Sequence, residues 1–253
     1  MRFLVTNDDG IYAPGLKTLV SVLKEFGQVT VVCPDGQRSG YGHSISVSHP
    51  LSVEEVHLLP DVEAYHVNGT PADCVKLALE KLCHHRPDWL ISGMNAGANV
   101  GQDVFYSGTI GAAREGALNG VASLAVSLAR NEEGDLNFDQ SMPILHHSLA
   151  KLLTLKIPTA TFLNLNIPAC PAAQVQGYRF APLGLDEMKF SFKSYHDPKG
   201  RPVYWLRNLY QQLDSDQETD YGLLHQGFVT VSAVQVDTNH ETLNHEFQRV
   251  FEP

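Results

Sequence analysis

Phe3-Leu4-Val5-Thr6-Asn7-Asp8-Asp9-Gly10 opens the chain with a short apolar run that ends on two adjacent carboxylates and a glycine. The run reads as a buried strand, and residues 15–24 carry apolar side chains at helical spacing. Gly27 ends that helix, and Val29-Thr30-Val31-Val32-Cys33, closed by Pro34, is a second strand. A strand, a crossover helix and a strand in so short a space imply a parallel βαβ unit. Asp8 and Asp9 then fall at the carboxyl edge of an α/β sheet, where ligands bind. Two like charges side by side are costly unless something positive neutralises them, and a divalent cation with hard oxygen ligands is the usual solution. Asn, Asp and Gly are also good turn formers, so a solvated turn is the alternative.

The alternation continues outward from this unit. Thr70 is placed as N-cap, Pro71 as first helical residue and Asp73 three beyond the cap, close to a capping box. Residues 87–93 form the next strand, stopping at Gly93, and residues 121–128 and 161–167 are two more, the last ended by Pro168. The fold class is α/β, a mostly parallel sheet flanked by helices, over residues 1–182. Residues 183–253 form a smaller region. It holds a β-hairpin, residues 189–195 and 201–206 around His196-Asp197-Pro198-Lys199-Gly200, with more aromatic side chains than a free hairpin needs. That excess points to packing on another subunit. The acidic stretch 214–220 reads as a solvated loop or a helix start. Residues 227–234 form a final strand that can rejoin the main sheet, and residues 242–251 a short terminal helix.

The bulk numbers exclude several classes. The chain has 253 residues, enough for a sizeable core. With 43% hydrophobic and 18% charged residues its composition is that of a soluble globular protein. No apolar run is long enough to cross a membrane, and Met1-Arg2 leads straight into strand-like sequence without a signal-peptide pattern, so a cytoplasmic location is expected. The four cysteines, Cys33, Cys74, Cys83 and Cys170, are scattered, which favours reduced, mostly buried thiols over disulfides or zinc. A net charge of −10 argues against binding a nucleic-acid polymer. An acidic protein still binds a small phosphate when a metal ion bridges the two.

Three further loops belong to the same sheet edge. Arg38-Ser39-Gly40-Tyr41-Gly42-His43-Ser44 follows the second strand, and Ser92-Gly93-Met94-Asn95-Ala96-Gly97-Ala98-Asn99-Val100-Gly101 is the densest glycine cluster. In Tyr106-Ser107-Gly108-Thr109 a small-residue helix begins. A magnesium-like ion prefers six oxygens and keeps several waters. Asp8, Asp9, Ser39 and Asn95 supply four protein oxygens and leave room for water and a phosphate oxygen. The backbone N–H groups at the Ser107 helix start, with Gly108 and Thr109, suit the remaining phosphate oxygens. The chain has no G-x-x-x-x-G-K-[ST] loop and no G-x-G-x-x-G after its first strand. It also lacks the second Asp, two positions on, that aspartyl-phosphate chemistry needs, so metal-activated water is the expected nucleophile. His84-His85 and His146-His147 fit no ligand pattern. His43 lies in the Ser39 loop and reads as an exposed loop residue, with catalysis as the alternative.

Taken together, these motifs resemble the SurE family, the survival-protein E nucleotidases. The resemblance rests on Thr6-Asn7-Asp8-Asp9-Gly10, Ser39-Gly40 with Gly42, Gly69-Thr70-Pro71-Ala72-Asp73, and Ser92-Gly93-Met94-Asn95 with Gly97, Asn99 and Gly101. It continues through Tyr106-Ser107-Gly108-Thr109, Asn164-Leu165-Asn166-Ile167-Pro168 and Gly227 to Asp237-Thr238. It implies a Rossmann-like catalytic domain with a region that exchanges elements between subunits, giving a homodimer or homotetramer. It also implies a phosphomonoesterase dependent on one divalent cation per subunit, Mg2+ or Mn2+. Nucleoside 5′- and 3′-monophosphates are the implied substrates, with short polyphosphate in some members. By the same resemblance the metal ligands are Asp8, Asp9, Ser39 and Asn95, and Asn99 and Ser107 position phosphate. The chain departs from the pattern at Ser46, where Thr is expected, and at Ser232-Ala233-Val234 in place of T-P-L. A regulator that holds a nucleotide or phosphate without hydrolysing it is the reading from another class. The carboxylate pair disfavours it, because a pure anion site gains nothing from two negative charges.

Overall fold

β1 (Arg2–Thr6) is buried on both faces, as a central parallel strand must be. Phe3 and Val5 pack with Leu16, Leu19 and Leu23 of α1 (Pro14–Leu23), whereas Leu4 turns to the opposite layer. The computed structural model describes residues 1–131, 133–185, 190–208 and 218–251. In chain order the next elements are β2 (Gln28–Pro34), β3 (Val53–Glu55), β4 (Glu63–Val67), α2 (Pro71–Leu77), β5 (Trp89–Ala96), α3 (Gly108–Leu118) and β6 (Ala122–Leu128). They are followed by α4 (Phe138–Leu152), β7 (Thr161–Ile167), β8 (Tyr178–Phe180), β9 (Phe190–His196), β10 (Pro202–Asn208), α5 (Asp220–His225), β11 (Val229–Gln235) and α6 (Glu241–Phe251).

Nine strands form one sheet in the order β3-β4-β2-β1-β5-β6-β7-β11-β8. The run from β4 to β7 is parallel throughout, with β3 and β11 antiparallel to their neighbours β4 and β7. α1 and α4 cover one face, α2 and α3 the other. The chain leaves β1 toward β2 and β4, then returns across β1 to β5, β6 and β7. The strand order therefore reverses between β1 and β5, and a crevice opens at their carboxyl ends.

The parallel sheet and flanking helices agree with the α/β class read from the sequence. The hairpin is also present, β9 pairing antiparallel with β10 from His196↔Pro202 to Phe190↔Asn208. β11 joins the large sheet between β7 and β8. Three strands were not expected. β3 is exposed and only three residues long, β8 is an exposed edge strand, and Glu63-Ala64-Tyr65-His66-Val67 of β4 mixes charge with apolar residues. None carries a hydrophobic run, and each is a strand because a neighbour supplies its hydrogen bonds.

One local expectation needs correction, and one is decided between its alternatives. β5 does not stop at Gly93 but runs to Ala96, with its register against β6 shifting between Ser92 and Asn95. Gly93 marks an irregularity inside the strand. Its φ is +137°, and a Cβ there would lie 2.3 Å from the Val126 carbonyl oxygen. Of the two readings of the acidic stretch, its far end is the helix start. Residues 214–217 lie outside the described residues, but Asp220 is buried at the start of α5. Its carboxylate accepts from the N–H groups of Gly101 (2.8 Å), Gly184 (2.9 Å) and Tyr221 (3.0 Å). Among the described residues no helix is long and apolar enough to cross a membrane.

Candidate metal and phosphate site

The β1–β5 crevice collects the loops singled out in the sequence. Asp8 and Asp9 follow β1, and Asn95 lies one position before β5 ends at Ala96, paired with Ser127 of β6. The Ser39 loop is drawn in by its first residue, because Arg38 N–H donates to the Asp8 carbonyl at 2.7 Å. α3 arrives end-on, with Ser107 as N-cap accepting from Ile110 N–H at 3.3 Å. Gly108 faces Asp8 so closely that a Cβ would lie 2.8 Å from Asp8 Cβ and 3.0 Å from Oδ2. Only glycine admits this approach.

The two carboxylates are strained electrostatically. Burial pushes the Asp8 carboxyl up to about 6, and the neighbouring Asp9 charge adds to the rise against a hydrogen bond from Thr109. That bond runs from Thr109 Oγ1 to Asp8 Oδ1 at 2.5 Å. Burial also raises Asp9, opposed by the Ala96 N–H on Oδ2 at 3.2 Å and by the charge of Arg130. Arg130 is itself held by the carbonyls of Gly134 (2.9 Å) and Ala96 (3.0 Å). A cation beside the pair would favour the charged form of both.

The donor set fits a hard divalent ion. Two carboxylates, the Ser39 hydroxyl and the Asn95 amide are all oxygen donors. Asn95 Nδ2 donates to the Gly97 carbonyl at 2.8 Å, which fixes the amide, and Ser39 Oγ accepts from Gln37 Nε2 at 3.1 Å. Among the described residues no three or more His, Cys, Asp or Glu side chains cluster as for a metal, so a cation here depends on those neutral oxygens.

The residues expected to meet phosphate divide in two. Ser107 and Gly108 form the helix start itself. Thr109 gives its hydroxyl to Asp8, so it orients a carboxylate and does not offer that group to a ligand. Asn99 is a hub of the glycine loop. Its N–H donates to Asn166 Oδ1 (2.8 Å), its Nδ2 to Ser127 Oγ (2.8 Å), and its carbonyl accepts from Asn164 Nδ2 (2.8 Å) and Asn166 Nδ2 (3.1 Å). Asn164 and Asn166 thereby carry a task beyond those of the expected site residues. The signal was there, since two asparagines alternating on one face of a buried strand must find partners inside.

His43 is not an exposed loop residue. It is half-buried, and its Nε2 meets Glu115 Oε2 at 2.8 Å. Ser46, the departure from the expected Thr, donates through its N–H (2.9 Å) and hydroxyl (2.7 Å) to Asp73, tying the same loop to the α2 cap. A threonine would bring the same hydroxyl. The predicted capping box is complete, Thr70 Oγ1 accepting from Asp73 N–H and Asp73 Oδ2 from Thr70 N–H. The histidine pairs stay apart from the site, His146 lying by Glu25 and His147 against Tyr178.

An open, mostly parallel α/β sheet whose strand order reverses at its centre defines the doubly wound class of proteins, in which ligands bind at the carboxyl ends of the strands. Within that class the chain matches the family described as Survival protein SurE over residues 3–189, and it belongs to that family. It is 42% identical over 247 residues to the 5′-nucleotidase SurE of Moorella thermoacetica, covering 97% of this chain and 94% of the relative. It is 40% identical to the 5′-nucleotidase SurE of Gloeobacter violaceus, over 95% and 92% of the two chains. The crystal structure of the SurE protein from Aquifex aeolicus superposes with a TM-score of 0.85 at 32% identity, over 100% of both chains.

Proposed function

We propose that the protein is a metal-dependent phosphomonoesterase that hydrolyses nucleoside 5′-monophosphates, and 3′-monophosphates as well, to nucleoside and phosphate. Short polyphosphate is proposed as a further substrate, and the cytosol as the place of action. The observation that carries this reading is the approach of Asp8 to the start of α3. A pair of carboxylates whose charge is disfavoured calls for a cation, while a helix N-terminus attracts an anion. A phosphate monoester with a divalent ion satisfies both. The relatives named 5′-nucleotidase SurE support a nucleoside as the esterified alcohol.

Asp8, Asp9, Ser39 and Asn95 are the residues that would hold the ion, Mg2+ or Mn2+. When bound, such an ion supplies Lewis-acid polarisation of the phosphoryl group and makes an attacking water more acidic. The chain's own residues do the rest. Ser107 and Gly108 present the helix start to the phosphate, Asn99 shapes the loop beside it, and Thr109 keeps Asp8 oriented. One of the two carboxylates takes the proton of the attacking water as it adds in line with the leaving ribose oxygen.

Phosphate release from p-nitrophenyl phosphate and from a panel of nucleoside monophosphates, with Mg2+ or Mn2+ and with chelator, tests the reading. Asp8→Asn and Asp9→Asn are expected to lower kcat by roughly 10³-fold, the several kcal/mol a bound ion contributes to the barrier. An Asp8→Asn enzyme with undiminished turnover would sink the metal role. Binding of nucleotide without any release would favour the regulator instead.

We also propose that the protein works as a homodimer or homotetramer. The exposed aromatic side chains of the hairpin, Phe192, Tyr204 and Trp205 among them, support this.

A further inference from the structure

Glu115 stands apart from the carboxylates at the sheet edge. It lies on α3, two turns beyond the helix start, and its side chain is buried. Oε1 accepts from Lys76 Nζ of α2 at 2.8 Å and from Asn119 Nδ2 at 2.7 Å. Oε2 accepts from the Nε2–H of His43 at 2.8 Å. Lys76 and Asn119 fix the rotation of the carboxylate, so the oxygen offered to His43 has a defined place. These donors and the Lys76 charge outweigh the burial and hold the carboxyl down at about 2, so it is an anion at neutral pH.

His43 belongs to the loop that carries Ser39, and that loop is anchored on both sides of Ser39. Before it, Arg38 N–H donates to the Asp8 carbonyl. Beyond it, Gly42 N–H donates to the Tyr106 carbonyl at 2.9 Å, and the Gly42 carbonyl oxygen packs where a Cβ on Gly111 would be, 2.3 Å away. Ser44 O accepts from Thr70 Oγ1 at 2.7 Å. Ser39-Gly40-Tyr41 forms the arch between, closed by Tyr41 N–H on Arg38 O at 3.3 Å. The His43–Glu115 contact ties the rear of this arch to α3. The first turn of that same helix touches Asp8 through Gly108 and Thr109. The position of Ser39 relative to Asp8 therefore depends on how the arch is tied to α3.

We propose that Glu115 is a positioning residue for the cation site: through His43 it fixes the Ser39 arch against α3 and holds the Ser39 hydroxyl in register with Asp8 and Asp9. This rests on the reading of Asp8, Asp9, Ser39 and Asn95 as the ligands. Residues that orient ligands from behind typically set metal affinity by about 10- to 100-fold.

The test is Mn2+ binding to the full chain without substrate, by calorimetry and by electron paramagnetic resonance of free Mn2+, alongside thermal melts. His43 is half-buried and can be truncated without opening the core. His43→Ala is expected to weaken Mn2+ binding by about tenfold or more. It should raise the Mn2+ concentration for half-maximal phosphate release by the same factor, while kcat at saturating Mn2+ changes far less. His43→Gln, which keeps an N–H donor, should recover most of the affinity, and Glu115→Gln should follow His43→Ala. If His43→Ala binds Mn2+ like the wild type and shifts only the melting temperature, the contact is structural and the proposal is wrong. If the wild type binds no more Mn2+ than Asp8→Asn does, the assignment of the cation ligands fails, and the positioning role with it.

Discussion

The place of Asp8 and Asp9 at the sheet edge was legible in the sequence because residue type and local position were enough. A carboxylate pair at the end of a buried strand is unusual, and glycine and asparagine loops flag the edge to which it belongs. Their partners were not legible, because each comes from a distant part of the chain. Thr109 reaches Asp8 from 101 residues away, and Ala96 reaches Asp9 from 87. Gly108 shows the difference most sharply: in the sequence it is one small residue at a helix start, whereas in the fold it is the wall against which Asp8 rests. Gly108→Ala would place a methyl carbon 2.8 Å from Asp8 Cβ and 3.2 Å from Pro71 Cγ. Helix propensity favours alanine by about 1 kcal/mol, so any loss must come from that collision. The expected result is at least a tenfold fall in kcat/KM with a melting temperature that drops by only a few degrees, measured by steady-state kinetics and thermal denaturation of the purified variant.

At the scale of elements, α2, α3 and the Ser39 loop act as one unit joined by polar contacts. The capping box of α2 was readable from Thr70-Pro71-Ala72-Asp73, since the motif is local. Its second task was not, because Asp73 also accepts from Ser46 and Thr70 also donates to Ser44. Thr70→Ala is therefore expected to cost about 1–2 kcal/mol of stability in chemical denaturation, at the upper end of the range for a cap. The Glu115 contacts give the unit a pH dependence. Burial alone would raise this carboxyl, but the bonds from His43, Lys76 and Asn119 and the charge of Lys76 bring it to about 2 from an ordinary 4.5. The folded value is depressed, so the stabilisation is fully present above pH 4.5 and is lost as pH falls toward 2. His43 and Lys76 are the titratable groups that face it. At neutral pH the linkage amounts to at most about 3 kcal/mol. Glu115→Gln should melt well below the wild type at pH 7, and the gap should close between pH 4.5 and 2.5 in a series of melts. A gap that stays constant over that range would show that the carboxylate charge is not what holds the unit together.

The whole molecule was read best where the chain obeys a repeating rule. Alternating strands and helices dictate a parallel sheet, and the reversal of strand order at β1 then dictates the crevice. What escaped were β3, β4 and β8, strands created by their neighbours. The last part of the chain follows a different logic. β9 and β10 make a two-stranded ribbon outside the main sheet, and such a ribbon is marginal alone in water. Phe192 faces Leu206 across it and Tyr195 faces Val203, while Trp205 is 73% exposed. α6 repeats the pattern, with Leu243, Phe247, Val250 and Phe251 at helical spacing and none of its residues buried. Two apolar surfaces left bare in one region cost hydrophobic free energy in a monomer, and burial against a second copy recovers about 25 cal/mol per Å². The proposed dimer or tetramer follows from that balance. Multi-angle light scattering at about 10 μM should give two or four times the chain mass, and Trp205→Ser combined with Phe192→Ser should shift the population toward monomer and lower the melting temperature. Because none of these residues belongs to the Asp8 crevice, the same double variant separates assembly from chemistry. Phosphate release by the monomer at the wild-type rate would mean that each crevice is complete within one chain. A wild-type protein that elutes and scatters as a monomer would mean that the ribbon and α6 are stable without a partner, and the assembly proposal would fall.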